Sequence, residues 1–239
     1  MPDPGRQPSR PTALFIHGAG GGPWEWCLWE PVFDRRGWHC ERLCLEPAGS
    51  GLMHTTLADY EQQLRARIGA LGDCVLVGAS LGGLLALRAA EMPQVRALVL
   101  VNSVPPGGLG GWPAHRHVYR GLVPWSEGRL ASTRRHLPDA GERMVRFAHR
   151  RWRDESARVM QAMERGVAVT PTPKPVLVLA GSQDSVVPPR ISRRVAAWTG
   201  GDCHIAHGAT HLGSLLGTHA PDMARRAAGW LAKNLVTGK

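Results

Sequence analysis

The chain has 239 residues, a formal charge of +10 carried almost wholly by arginine, and five cysteines. That length can bury a substantial core in one α/β domain without disulfides or metals. No apolar run is long enough to span a membrane, the five irregularly spaced cysteines read as reduced, partly buried thiols with no zinc spacing, and no nucleic-acid motif accompanies the basic charge, which reads as a solvated arginine surface.

Residues 1–11 are Pro-rich and polar and read as a tail. They lack the apolar core of a secretory signal, so the expected location is the cytoplasm. Thr12–Ile16 is a short predicted strand, ending at the Gly-rich turn His17-Gly18-Ala19-Gly20-Gly21-Gly22-Pro23. A phosphate cradle there would need a Gly-Lys-Ser/Thr or a Gly-x-Gly-x-x-Gly with its acidic partner, and neither is present. A backbone donor site for an oxyanion fits better. Residues 24–36 are predicted helical, with Trp24, Trp26 and Trp29 as core or pocket wall. A strand is expected over 38–45, a loop over 46–51, and a helix over 55–71, where Leu57, Tyr60, Leu64 and Ile68 recur at three- and four-residue spacing and Gly72 stops the run.

The stretch Cys74–Glu91 is the most informative. Its apolar run Cys74-Val75-Leu76-Val77 leads into Gly78-Ala79-Ser80-Leu81-Gly82, a Gly-x-Ser-x-Gly, and then a helical run from Leu84 to Ala90. A buried strand turning sharply into a helix holds its turn residue in strained geometry, and the glycines on either side admit the close approach. The serine oxygen then stands at the end of the sheet with a helix N-terminus behind it. Ser80 is therefore the candidate nucleophile.

Val95–Val101 is continuously apolar and predicts a strand buried on both faces. Over 104–173 no comparable strand is visible. Helices are expected over 127–136, 140–152 and 155–165, with Asp139 and Glu142 as a capping box for the second. The strand pattern resumes over 175–180. A loop carrying Asp184, a helix over 189–198, a strand over 202–206, a loop carrying His207 and His211, and a helix over 218–235 close the chain. Strands alternating with helices predict a parallel sheet with helices on both faces, and ligands in such sheets sit beyond the strands' C-terminal ends. His17, Ser80, Asp184 and His211 each follow a predicted strand, so they converge on one edge.

A serine hydroxyl needs a base within hydrogen-bond reach, and the base needs an orienting acid. His211 is placed to be the base and Asp184 the orienter, in the chain order Ser, Asp, His. Two backbone amides are expected to hold the oxyanion: Leu81, after the nucleophile, and Ala19, in the loop after His17. His17 is expected to order that loop rather than carry protons, and His207 to point into the structure. His115 and His117 lack a third ligand at metal spacing, so no metal is expected.

With these pieces in place the chain resembles the α/β-hydrolase superfamily along essentially its whole length. The matching segments are His17-Gly18-Ala19-Gly20, Gly78 to Gly83, Gly181-Ser182-Gln183-Asp184-Ser185-Val186-Val187-Pro188, and Gly208-Ala209-Thr210-His211. The loop His17-Gly18-Ala19 with Gly22, Trp24 and Trp26 is similar to that of the plant methylesterase and hydroxynitrile lyase branch. The lyases typically carry a bulkier hydroxyl residue in place of Gly18 and a lysine in place of Leu212, which points this chain to hydrolysis. Dehalogenases place an aspartate where Ser80 stands, and cofactor-free haloperoxidases often a methionine where Leu81 stands. The resemblance implies an α/β-hydrolase fold of about six core strands, with a core formed by 1–103 and 174–239 and a helical cap over 104–173. It implies a carboxylesterase-type serine hydrolase acting on a small-molecule ester, with no cofactor and with neither nucleic acid nor membrane as partner. Pocket residues are expected from the loop after His17, at Gly20, Trp24 and Trp26, and from the cap, at Met160. Two alternatives remain: a thioesterase for coenzyme A or carrier-protein substrates, motivated by the arginines of 104–173, and a ligand-binding protein with little turnover.

Overall fold

The computed structural model describes residues 11–110 and 120–236. His115 and His117 and the tail before Pro11 lie outside the described residues.

The chain opens with β1 (Thr12–Ile16). Residues 24–36 do not form the single helix expected. They form a 3-10 turn at Pro23–Trp26 and a separate five-residue helix, α1 (Glu30–Asp34). Pro31 explains the break, because it has no N–H to give to a preceding turn and is tolerated only in the first turn of a new helix. β2 (Cys40–Leu43) is shorter than predicted. α2 (Leu57–Leu71) buries Leu57, Tyr60, Leu64 and Ile68 and starts from a capping box at Thr56 and Asp59. Then come β3 (Cys74–Ala79), α3 (Leu81–Arg88) and β4 (Val95–Val101).

Between β4 and the next long strand lie β5 (Leu122–Val123), α4 (Leu130–His136), α5 (Glu142–His149), β6 (Glu155–Ser156) and α6 (Ala157–Arg165). β5 and β6 form a two-residue antiparallel ladder that the sequence pattern does not show, since two residues carry no period. The expected capping box of α5 is not formed. Gly141 is the N-cap, and Glu142 instead pairs with Arg134 and with Arg146. Asp139 turns away and accepts a hydrogen bond from Thr210 Oγ1 at 3.2 Å.

β7 (Val176–Gly181), α7 (Pro189–Thr199), β8 (Asp202–Ala206), α8 (Gly213–Leu216) and α9 (Ala220–Val236) complete the chain. The long strands make one six-stranded sheet in the order β2-β1-β3-β4-β7-β8, parallel throughout. Alternating residues of each strand point to opposite faces. Phe15, Val77, Val99 and Leu179 pack with α1 and α9 on one face, while Leu14, Leu76, Leu98 and Val178 pack with α2, α3 and α7 on the other. Strand order reverses beside β1, where β2 lies on one side and β3 on the other. That reversal opens a crevice beyond the C-terminal ends of β1 and β3, the positions from which His17 and Ser80 emerge. No helix among the described residues is long and apolar enough to cross a membrane. The described cysteines are free thiols, with Cys74 buried and Cys203 exposed.

Candidate active site

Ser80 sits between β3 and α3 with φ 50° and ψ −114°. A non-glycine residue in that region costs about 1–3 kcal/mol and persists only where the surroundings enforce it. Here the Ser80 N–H donates to the Val101 carbonyl at 3.0 Å, and the Ser80 carbonyl accepts from Gly83 and Val104, each at 3.1 Å. The close approach needs glycine on both sides: a Cβ at Gly78 would strike the Gly82 carbonyl, and one at Gly82 the Ile16 carbonyl.

His211 follows β8, and its Nδ1 lies 2.7 Å from Asp184 Oδ2. The Asp184 side chain is fully buried. Its other oxygen accepts the amides of Val186 and Val187, both at 2.8 Å, so the carboxylate cannot swing away. A carboxylate at Nδ1 places the proton there and leaves Nε2 as the acceptor. Burial pulls His211 down, but the Asp184 charge and hydrogen bond, joined by the charge of Glu25, outweigh it and hold the imidazole above its ordinary 6.5. Asn102, another positive-φ residue, ties the loop to the sheet: its side-chain N–H donates to the His211 carbonyl at 2.8 Å, and its Oδ1 accepts from Gly181 at 2.9 Å.

The loop after β1 is fixed by His17. Its Nε2 accepts from the Leu45 amide at 3.0 Å, which leaves Nδ1 to donate to the Gly18 carbonyl at 2.8 Å. Burial, together with the nearby Arg153 charge, lowers its pKa to about 4 against the Gly18 bond. It is neutral and structural, as expected. Glu25, from the 3-10 turn, is buried and accepts from the Gly18 amide at 2.9 Å. Burial raises its pKa to about 7 against the opposing Gly18 bond and the charges of His211 and Arg153.

Ser80, His211, Ala19 and Glu25 line one cavity of about 280 Å³. Its walls are mostly apolar, with Val101 at the end of β4, Val104 and Val186 from strand-end loops, and Trp125, Trp152, Met160 and Met163 from the segment after β4. No hydrogen bond joins Ser80 Oγ to His211 Nε2 among the described residues, so what unites the pair is the cavity both line. The amides of Ala19 and Leu81 donate to no protein acceptor among the described residues. Among the described residues no cluster of three His, Cys, Asp or Glu could hold a metal.

The sequence profile of the alpha/beta hydrolase family matches residues 13–226. The chain belongs to that family. Among solved structures it is similar to a methylesterase from Arabidopsis, with a TM-score of 0.72 and 16% identity, covering 95% of this chain and 99% of that one. It is similar to tomato methylketone synthase I complexed with 2-tridecanone (TM-score 0.74, 14% identity, 94% and 99% covered). Polyneuridine aldehyde esterase gives a TM-score of 0.71 at 16% identity, with 93% and 99% covered. At these identities the likeness is one of fold. No curated protein sequence matches the chain.

Within this α/β-hydrolase frame, Met160 lines the cavity while Gly20, Trp24 and Trp26 do not. Gly20 turns its peptide toward Glu155 and Arg153. Trp24 stands edge-on to Trp152 at 5.0 Å, and Trp26 is buried against Phe15 at 5.0 Å and Trp29 at 5.4 Å. Trp152 takes the place at the wall that Trp24 was expected to fill. His207 is exposed rather than pointing inward. Glu25 and Asn102 are the polar groups that pattern reading missed. Glu25 is an acid between two tryptophans in sequence, and that oddity is the one signal that could have found it. Asn102 carries no such mark beyond its place after β4.

Proposed function

We propose that this chain is a serine hydrolase that cleaves a carboxylic ester of a small substrate through an acyl-enzyme on Ser80. The observation that carries the reading is the shared cavity: Ser80 and His211 line it, Asp184 stands 2.7 Å behind the imidazole, and Ala19 contributes an unoccupied amide at its wall. Ser80 Oγ attacks the ester carbonyl while His211 Nε2 takes its proton. The amides of Ala19 and Leu81 hold the oxyanion. As the tetrahedral centre collapses, Nε2–H protonates the departing alkoxide. Water then attacks the acyl-enzyme, with His211 again as base, and the acid leaves. Asp184 keeps the imidazole in the Nδ1–H form and stabilises the imidazolium. Residues 104–173 act as the cap, and their apolar side chains suit an apolar acyl group. Esterase activity among proteins of the same fold, including the methylesterase and polyneuridine aldehyde esterase, agrees with this reading.

The test combines fluorophosphonate labelling with turnover of short-chain aryl esters. The wild type is expected to label once, at Ser80, and to hydrolyse at least one ester, while Ser80→Ala folds and does neither. Undiminished turnover in Ser80→Ala would sink the mechanism. Labelling without turnover on a broad ester panel would favour a ligand-binding protein. One observation favours thioester hydrolysis as a second reading: Arg129 lines the cavity yet is exposed, and a guanidinium there can meet a phosphate on the leaving group. An Arg129→Glu variant that hydrolyses acyl-coenzyme A as well as the wild type would remove it.

A further inference from the structure

The loop after β1 offers a run of backbone donors, and their partners are not alike. The Gly18 amide donates to Glu25 Oε2 at 2.9 Å. The Gly20 amide donates to Glu155 Oε2 at 3.0 Å. Gly21 donates to the Gly18 carbonyl at 3.2 Å. Ala19, between the two glutamate-bound glycines, has no acceptor among the described residues. Consecutive free amides in a turn form an anion-binding concavity with several possible registers. Two buried carboxylates remove the registers on either side of Ala19.

The two acids reach the loop from different parts of the chain. Glu25 comes from the turn that continues the loop, and Glu155 from β6, across the chain between β4 and β7. Both are buried. Glu155 is fully engaged: its Oε1 accepts from Tyr60 Oη at 2.9 Å and from the Ser156 amide at 2.8 Å. Arg153 closes the same segment onto the loop. Its amide donates to the Gly20 carbonyl at 2.8 Å, its Nε to the Gly21 carbonyl at 2.7 Å, and its Nη2 to the Leu45 carbonyl at 3.1 Å. The Gly20 residue is thus held at its N–H by one side chain and at its carbonyl by the neighbouring backbone of the same short segment. The Arg153 guanidinium also offsets the negative charge that two carboxylates would otherwise bring near a developing oxyanion.

We propose that Glu25 and Glu155 are positioning residues that occupy the amides flanking Ala19 and so leave the Ala19 N–H as the loop's donor to the oxyanion. This rests on the acyl-enzyme reading given above. It also makes the segment from Arg153 to Ser156 part of the oxyanion hole's support rather than a freely moving cover: a shift of that segment drags the Gly20 peptide, and with it the Ala19 amide. A displacement of about 1 Å at such a donor can cost on the order of a hundredfold in rate.

The experiment compares wild type with Glu155→Gln, Glu25→Gln and Glu25→Met. Three donors converge on the two oxygens of Glu155, so an amide there must turn one N–H against a donor, and Glu155→Gln is expected to lose about ten- to a hundredfold in kcat with KM within threefold. Glu25 accepts one hydrogen bond, which glutamine can keep, so Glu25→Gln should retain most of the kcat that Glu25→Met loses. Two ligands separate positioning from general damage. A trifluoromethyl ketone adds Ser80 Oγ to its carbonyl and places a hemiketal oxyanion in the hole, whereas the matching methyl ketone binds without adding. The variants should lose affinity for the first in proportion to kcat and keep affinity for the second. Equal losses on both ketones, or unchanged kcat in a folded Glu155→Gln and Glu25→Met, would overturn the proposal. Amide exchange followed by NMR gives a readout free of turnover: Gly18 and Gly20 should be protected in wild type and Ala19 not, with protection at Gly20 lost in Glu155→Gln. Fast exchange at all three in wild type would also overturn it. A wild type that binds neither ketone would reject the hydrolase reading of Ser80 and leave exchange to decide the role of the two glutamates.

Discussion

His211 Nδ1 and Asp184 Oδ2 stand 2.7 Å apart, and the second oxygen of the same carboxylate is clamped by the amides of Val186 and Val187. The acid is therefore rigid, and the tautomer of His211 depends on it. An asparagine at 184 can present an N–H to Nδ1 and invert that tautomer. Asp184→Asn is expected to lower kcat by about a thousand- to ten-thousandfold with little change in KM. The pH profile gives an independent check. The base must be neutral, so kcat/KM falls as pH drops through the pKa of His211, which lies above 6.5 in wild type. Without the Asp184 charge and hydrogen bond, burial is opposed only by the more minor charge of Glu25, and that limb moves to lower pH. A variant whose residual activity keeps the wild-type limb would show that Asp184 does not set the charge state of His211.

The elbow predicts an inverted order of stability among nucleophile variants. At φ 50° an alanine meets the same steric conflict as the serine, whereas glycine does not. Ser80→Gly and Ser80→Ala should both be inactive, and Ser80→Gly should be the more stable by about 1 kcal/mol in urea unfolding. Over most of a fold the ranking is the reverse, because glycine adds entropy to the unfolded chain. Equal or lower stability of the glycine variant would mean that the elbow holds no strain.

Much of this site is legible in the sequence because its parts are fixed by the chain's own covalent order. Each strand end delivers one residue, so the placing of Ser80, Asp184 and His211 at one edge of the parallel sheet could be read from strand pattern and order. The glycines at 78 and 82 mark a backbone collision that only a missing Cβ avoids, and such collisions leave a local trace. What the pattern could not give is contact across the fold. Glu155 reaches Gly20 across 135 residues and Asn102 reaches His211 across 109. No local period or spacing encodes either. The tryptophans show the same limit. Trp24 and Trp26 lie two apart in one 3-10 turn, yet one stands edge-on to Trp152 and the other is buried against Phe15. Which of them meets the core and which meets the segment after β4 depends on partners distant in the chain.

On the proposed function, Met160 is expected to limit the size of the acyl group. It lies on α6 at the apolar wall of a cavity of about 280 Å³ that also holds Ser80. Truncation to alanine removes about three heavy atoms from that wall, and a pocket discriminates by about 1–3 kcal/mol per methylene. Met160→Ala is expected to raise kcat/KM for an aryl octanoate relative to the butyrate by about tenfold. An unchanged chain-length preference would place the acyl group elsewhere in the cavity.

The last prediction concerns stability against pH, where two buried groups of the same loop oppose each other. His17 titrates at about 4 in the folded protein against an ordinary 6.5. Between those values the unfolded chain binds a proton that the folded one refuses, so acidification removes stability, by about 3 kcal/mol over the whole span. Glu25 does the reverse. Its folded pKa is about 7 against an ordinary 4.5, so the folded protein keeps a proton that the unfolded chain releases, and stability is lost as pH rises through that window, again by about 3 kcal/mol. From about pH 4.5 to 6.5 the two contributions run in opposite directions and nearly cancel. Glu25→Gln removes one of them. Relative to wild type, its unfolding free energy should then climb with pH across that range, with the difference between the two proteins growing by about 2 kcal/mol or more. Taking the difference at each pH removes the titrating groups that do not couple to Glu25, and His211, which does couple to it, is held above its ordinary 6.5 and so titrates mainly above this range. Urea unfolding at pH 4.5, 5.5 and 6.5 measures it directly. Parallel curves for the two proteins would mean that Glu25 is ionised throughout, and the carboxylate beside Gly18 would then have to be stabilised by Arg153 and His211 more strongly than burial opposes it.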